Sequence, residues 1–247
     1  MSEKRKYGLI GKSLSHSFSK DYFEKHKSKF SSETSYELFE LSSIDKVEAL
    51  LKDTSLMGFN ITIPYKEAIL AYADELSPEV EAIGASNTFR KLPSGKWKAY
   101  NTDCFGFEQS ISPLVGNREN ALILGTGGAA KAVKYSLNLL GISSQMVSRK
   151  PNNSDQISYE DLNAESFTIN LIIINTTPVG TFPNINDFPP IPYHHLSAQH
   201  LLFDLVYNPE ETVFLKKGKL AACQLENGIE MLHLQARKAW DIWNMPF

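Results

Sequence analysis

Apolar and polar positions change period repeatedly along the chain, and each change marks an element. Residues 6–10 are a short apolar run that predicts a strand, 19–29 repeat at helical spacing, and 36–41 alternate as a strand does. A helix over 44–52 and a strand over 56–63 follow. Ile61 and Ile63 are its last apolar positions before Pro64, which cannot donate to a sheet ladder. Residues 67–82 have helical character, with Pro78 as a candidate interruption. Residues 88–90 and 97–101 flank the turn-forming set Pro93-Ser94-Gly95-Lys96 and predict a hairpin. Strands alternating with helices predict a largely parallel sheet covered on both faces.

A second unit begins after Asp103. Residues 104–111 look helical, 113–120 form a polar turn region, and 120–124 make a short buried strand. That strand runs directly into Gly125-Thr126-Gly127-Gly128-Ala129-Ala130. A helix over 130–140 closes at Gly141, and a strand over 144–147 follows. Near the end, Ile229, Leu232, Ala236, Ala239 and Trp240 recur at helical spacing and read as a core-packing face; Gln235 lies off it.

Strand, glycine-rich turn, helix, strand is the setting that a dinucleotide fingerprint requires. Gly125 permits the tight turn, Gly127 lets backbone N–H groups approach a pyrophosphate, and the helix N-terminus offers partial positive charge. The pattern is G-x-G-G-A-A rather than the full G-x-G-x-x-G. A site for NAD places an acidic side chain after the next strand to bind the ribose 2′-hydroxyl. This chain has Ser148-Arg149-Lys150 there, two cations and a hydroxyl that suit a 2′-phosphate. NADP(H) is therefore expected in preference to NAD.

Composition narrows the classes further. Hydrophobic residues make up 42% of the 247 residues and charged residues 21%, ordinary for a globular enzyme and enough for two modest domains. A net charge of −3 leaves no basic field for nucleic acid or an anionic membrane. The first residues lead into too short an apolar run for a signal-peptide core, and no stretch reaches the roughly 18 apolar residues of a membrane span. Cys104 and Cys223 lie far apart, and neither they nor His194-His195 follow a metal-ligand spacing. A reduced, cytoplasmic protein without metal is expected. Among its polar residues Lys66 stands out, because it follows an apolar run stopped by a proline and so stands on rigid backbone at a strand end.

Taken together, these segments resemble the shikimate dehydrogenase family. Ser15-His16-Ser17-Phe18-Ser19 is similar to its H-S-x-S substrate loop. Asn60-Ile61-Thr62-Ile63-Pro64-Tyr65-Lys66 is similar to its N-[VI]-T-x-P-x-K motif. Gly84-Ala85-Ser86-Asn87-Thr88 resembles G-A-x-N-T, and Asn101-Thr102-Asp103-Cys104-Phe105-Gly106 resembles N-T-D-x-x-G. Later matches are Asn175-Thr176-Thr177-Pro178-Val179-Gly180, Asp204-Leu205-Val206-Tyr207-Asn208-Pro209, and the G-x-x-M-L-x-x-Q pattern from Gly228 to Gln235. They run in order from about residue 8 to residue 240.

The resemblance implies a two-domain α/β fold. A substrate-binding catalytic domain over 1–102, completed by a C-terminal helix over 228–247, would be joined to a Rossmann-like NADP-binding domain over 103–227, with the active-site cleft between them. It implies reversible reduction of 3-dehydroshikimate to shikimate, a step toward chorismate and the aromatic amino acids. Lys66 would exchange the proton, and Asp103 would hydrogen-bond the reacting hydroxyl and hold the lysine. Ser17 and Ser19, two apart in an extended loop, would bind the substrate carboxylate, although serines there also suit a helix N-cap. Thr62, Asn87, Tyr207 and Gln235 would bind the remaining hydroxyls and carboxylate. Gly125, Thr126, Gly127, Gly128, Ala129, Ser148, Arg149, Lys150, Leu205 and Gly228 would hold the cofactor.

The functional unit would be a monomer or homodimer whose partner is the small-molecule substrate. The chain departs from the family pattern at Lys20, Ser86, Thr176, Thr181 and Ser148, where proline, valine, alanine, methionine and asparagine are usual. Serine at both 17 and 19 favours shikimate over quinate. A quinate-type dehydrogenase using NAD, or a non-catalytic NADP-sensing module, are the alternatives. An intact Lys66 and Asp103 count against the module, because a binder needs no proton-transfer pair.

Overall fold

The computed structural model describes residues 5–14, 18–25 and 34–246. It divides into two compact units, Met1–Thr102 with Ala236–Phe247, and Asp103–Gln235.

The first unit contains β1 (Arg5–Gly11), α1 (Phe18–Lys25), β2 (Thr34–Glu40), α2 (Val47–Leu51), β3 (Leu56–Ile61), β4 (Glu75–Leu76), α3 (Pro78–Ile83), β5 (Thr88–Lys91) and β6 (Trp97–Tyr100). They form one mixed sheet in the order β2-β1-β3-β5-β6-β4. β1 pairs in parallel with β2 and β3, whereas β5 joins β3 antiparallel and turns back into β6 as the predicted hairpin. Gly95, with φ 84°, closes that hairpin in the left-handed region. Phe59 stacks on Phe89 at 5.1 Å between ring centroids and meets Trp97 at 5.2 Å in a tilted pair, and the three rings centre the core. Burying each such ring contributes roughly 1.5–3 kcal/mol.

Three expectations need correction here. The third strand stops at Ile61; the Tyr65 amide bonds back to the Thr62 carbonyl at 3.0 Å, and Ile63 stands 62% exposed in the turn. The helix expected over 67–82 is a 3-10 turn, Ala68–Tyr72, then β4, then α3. Sheet pairing overrides helical character in this stretch. The Asp74 amide donates to Trp97 O at 2.9 Å, and its carboxylate accepts from Trp97 N at 2.7 Å. Pro78 begins α3 rather than interrupting a helix, because the first helical position needs no N–H donor. Likewise, the helix over 44–52 is a 3-10 turn, Ile44–Lys46, leading into α2.

The second unit contains α4 (Thr102–Ile111), β7 (Asn120–Leu124), α5 (Gly128–Leu139), β8 (Ser143–Ser148), β9 (Gln156–Ser158), α6 (Ala164–Ile169), β10 (Ile172–Asn175), β11 (Leu201–Asp204), α7 (Val213–Leu220) and β12 (Gln224–Glu226). Its sheet is wholly parallel in the order β12-β11-β10-β7-β8-β9. This is the doubly wound order, with the switch point between β7 and β10, where such folds bind ligands beyond the carboxyl ends of the strands. All four residues of β10 and of β11 are buried, as expected for strands covered on both faces.

The last helix, α8 (Ile229–Asn244), is shared between the units. Met231 packs in the core of the second. Ala236, Ala239, Ile242 and Trp243 pack in the first, where the Trp243 indole donates to Phe89 O at 2.9 Å. Trp240 packs against the same cluster, as expected, whereas Ile229 and Leu232, expected on the packed stripe, are only partly buried. The helix's own turn rotates the stripe toward Met231, Ile242 and Trp243.

Candidate active site

The first unit carries a continuous chain of polar groups, half-buried at Ser19 and Tyr36 and buried at Asn60, Asn87, Thr88 and Thr102. The Tyr36 hydroxyl, on β2, accepts from Ser19 and donates to Asn60 Oδ1 at 3.0 Å. Asn60 Nδ2 reaches Thr88 Oγ1 at 3.0 Å, and Thr88 donates to Asn87 Oδ1 at 3.1 Å. Asn87 then pairs twice with Thr102, accepting from its amide at 2.7 Å and donating to its hydroxyl at 3.0 Å. Burial pushes the Tyr36 hydroxyl well above its ordinary range, so it stays a neutral donor. Every link is between neutral groups, which fixes direction without fixed charge.

Lys66 leaves β3 through the turn after Pro64. Its carbonyl accepts from the Ser86 amide at 2.7 Å, which anchors the lysine's backbone beside the segment carrying Asn87. Thr62 is tied at the same exit, its amide donating to Ile10 O at 2.9 Å. Ser17 lies outside the described residues, so the expected serine pair is represented by Ser19 alone.

In the second unit, Gly125 follows β7 with φ 116°, a conformation that side chains rarely adopt. A Cβ there would meet Thr176 Oγ1 at 2.7 Å and Thr177 Cγ2 at 3.1 Å, so the segment after β10 is seated directly against the turn. Thr126 is half-buried in the turn, and Gly127 is exposed as the N-cap of α5, with Gly128 and Ala129 in the first helical turn. At the end of β8, the Ser148 hydroxyl accepts from the Lys150 amide at 3.1 Å, and Arg149 and Lys150 are exposed. Arg149 also acts on Tyr159, whose hydroxyl burial pushes up and the guanidinium pulls down. Gly228 is buried against Leu205, and a Cβ there would strike the Leu205 carbonyl.

Asp103 is buried in the first turn of α4. One turn on, Gly106 lets α4 cross α8 closely; a Cβ there would lie 2.6 Å from Met231 O and 3.1 Å from Gln235 Cβ. Asp103 and Gly106 share a helix face, so this crossing brings the aspartate's turn beside Gln235. Tyr207 is half-buried in the segment after β11. Lys66, Thr62, Asn87 and Ser19 thus belong to the first unit, and Asp103, Gln235, Tyr207 and the glycine turn to the second. Within the second unit, a cavity of about 350 Å³ opens at the amino end of the sheet, lined by Asn120, Ser143 and Asn163, away from the glycine turn.

Residues 9–89 match the model of the shikimate dehydrogenase substrate binding domain. A shikimate dehydrogenase (NADP(+)) of Caldicellulosiruptor saccharolyticus is 39% identical over 97% of this chain and 92% of its own length. The chain belongs to the shikimate dehydrogenase family. Shikimate Dehydrogenase 1 of Peptoclostridium difficile has the same fold with a TM-score of 0.83 and 35% identity, covering 97% of this chain and 91% of that one. Shikimate 5-Dehydrogenase of Thermus thermophilus, solved with NADP(H) and shikimate, gives a TM-score of 0.85 at 28% identity, covering 97% of this chain and 93% of that one.

Against the family's pattern, the departures are locally satisfied. Ser86 is fully buried and donates to Tyr100 O at 2.7 Å, tying the base of the hairpin. Thr176 donates to Leu124 O at 2.7 Å and Thr181 to Asn208 O at 3.2 Å, so both hydroxyls bond backbone. The residues present fit the family's dinucleotide. A Cβ at Gly127 would meet nothing within 4 Å, leaving the amide end of α5 open to a phosphate, with Arg149 and Lys150 exposed at the next strand end. Among the described residues, no group of three or more His, Cys, Asp or Glu could hold a metal, and no helix is long and apolar enough to cross a membrane. Sequence reasoning missed Tyr36 and Thr102 as members of the site. Alternation marks a strand's face but not a partner about 24 residues away on another strand.

Proposed function

We propose that this protein catalyses the reversible reduction of 3-dehydroshikimate to shikimate with NADPH, the step that shikimate dehydrogenases supply to aromatic amino-acid biosynthesis. The observation that carries the proposal is the hydrogen bond from the Ser86 amide to the Lys66 carbonyl, 2.7 Å. It joins the lysine to the Asn87 network, so a proton donor and a hydroxyl-reading surface share one rigid frame.

NADPH, when bound, supplies the hydride. Lys66, as ammonium, donates its proton to the ketone oxygen while the new C–H bond forms, and as amine it takes that proton from the alcohol in reverse. Asp103 accepts a hydrogen bond from the reacting hydroxyl and keeps Lys66 oriented. Ser17 and Ser19 donate to the substrate carboxylate, while Thr62, Asn87, Tyr207 and Gln235 bind the ring hydroxyls and carboxylate. Gly125 to Ala129 would present backbone N–H groups to the pyrophosphate, Arg149 and Lys150 would pair with the 2′-phosphate beside Ser148, and Leu205 and Gly228 would complete the cofactor site. A cytoplasmic location fits two buried cysteines, Cys104 and Cys223, that form no disulfide.

Initial rates with shikimate or quinate, each paired with NADP⁺ or NAD⁺, test the proposal. Turnover highest with shikimate and NADP⁺ is expected. Preference for quinate would move the protein to the sister activity, and tight NADP⁺ binding without turnover would leave it a binding module.

A further inference from the structure

Asp204, at the carboxyl end of β11, is fully buried and meets no cation among the groups that set its charge. Three donors converge on it instead. Asn175 Nδ2 reaches Oδ1 at 2.9 Å, the Val206 amide reaches Oδ1 at 3.0 Å, and the Thr212 hydroxyl reaches Oδ2 at 2.6 Å. These donors come from three places: the end of β10, the segment leaving β11, and the N-cap of α7, where Thr212 also accepts from Leu215 N at 3.3 Å.

The connection continues toward the glycine turn. Asn175 Oδ1 accepts from the Thr177 hydroxyl at 2.6 Å and the Thr177 amide at 3.1 Å, and Thr177 in turn accepts from Val179 N at 3.3 Å. Thr177 is one of the two side chains that a Cβ on Gly125 would touch, at 3.1 Å beside Thr176 at 2.7 Å. Two hydrogen-bonded steps therefore lead from the Asp204 carboxylate to the wall on which the turn after β7 rests. Doubly wound sheets bind ligands beyond this end of their strands, at this switch point.

We propose that Asp204 is a positioning residue for the cofactor half of the reaction, its carboxylate tying the segment after β10 to the segment after β11 so that the wall facing the Gly125 turn keeps one shape. This rests on the dehydrogenase function proposed above. A buried carboxylate is a costly anchor, and burial raises its pKa to about 6. Hydrophobic packing alone would hold two strands together; three convergent donors fix the direction in which both loops leave.

The test is Asp204→Asn in the full-length protein, which keeps the side-chain shape and replaces one acceptor by a donor. Steady-state rates are measured with NADP⁺ and shikimate varied separately, beside thermal unfolding. The positioning role predicts that kcat/KM for NADP⁺ falls about tenfold while the KM for shikimate stays within about twofold. A lowered melting temperature with both cofactor parameters within about twofold would overturn it, leaving a structural role only. Thr177→Val removes the hydroxyl that Asn175 accepts and spares Asp204 and the α7 cap. It is expected to give the same split at smaller amplitude, with Thr177→Ser restoring wild-type values, and it decides the matter if Asp204→Asn does not fold. If the wild type itself lacks turnover, the dehydrogenase proposal fails. Calorimetric NADP⁺ affinity of wild type against variant then decides the clamp, an unchanged affinity overturning it.

Discussion

The two units solve the same problem with different materials. In the first, side chains from five separate segments (Ser19, Tyr36, Asn60, Asn87 with Thr88, and Thr102) pair into a neutral network. In the second, the ligand end of the sheet is built from backbone: Gly125 in the left-handed region, open space before α5, and Gly228 packed on the Leu205 carbonyl. Its buried carboxylates, among the residues described there, are Asp103 and Asp204. A surface of hydroxyls and amides reads a polyhydroxy ring, whereas exposed N–H groups and a helix N-terminus hold phosphates without reading a shape. Substrate discrimination should therefore reside in the first unit, and charge-dependent cofactor choice in the second.

The sharpest way to break this division is Lys66→Ala. Loss of the proton donor should lower kcat by about 10²–10⁴-fold with little change in NADP⁺ affinity, read from NADPH absorbance and a binding titration. A variant that loses cofactor affinity instead would put the lysine on the wrong side of the comparison. Next in size is the pH response of the second unit. Burial raises the Asp204 pKa from 3.8 to about 6, so its contribution to stability is fully present below 3.8 and is lost as pH rises through 6. Asp204→Asn should remove this step, with the stability difference between variant and wild type changing by about 2 kcal/mol between pH 4 and 7 in denaturant titrations. The first unit's neutral network should contribute no such step. Smaller again is Arg149→Ala, expected to reduce the ratio of NADP⁺ to NAD⁺ efficiency by about tenfold while leaving shikimate KM unchanged. An unchanged ratio would move recognition of the 2′-phosphate away from the end of β8.

What was legible in the sequence follows the same contrast. The glycine turn could be read because its chemistry is local: Asn120–Leu124 is the expected strand, and Gly141, with φ 73°, ends the helix where expected. Lys66 and Asn87 were legible through family motifs, but what sets their segments side by side is a long-range backbone bond, from Ser86 to Lys66, that spacing does not announce. Tyr36 was read only as a strand position, since its partner Asn60 lies on β3. The stretch over 67–82 misled because helical character competes there with a sheet edge, and the bonds of Asp74 to Trp97 decide the contest. Asp204 was visible as a motif residue, yet a carboxylate closing an apolar strand says nothing of three donors arriving from elsewhere.

The division between the units is tested most directly by the two Michaelis constants in Asn87→Ala and Gly127→Ala. A Cβ at Gly127 meets nothing within 4 Å, so that variant should fold as the wild type does while its backbone approaches phosphate less closely. The account predicts a crossed result: Asn87→Ala raises the KM for shikimate by about tenfold and leaves that for NADP⁺ unchanged, and Gly127→Ala does the reverse by several-fold. Both constants moving together in both folded variants would contradict it.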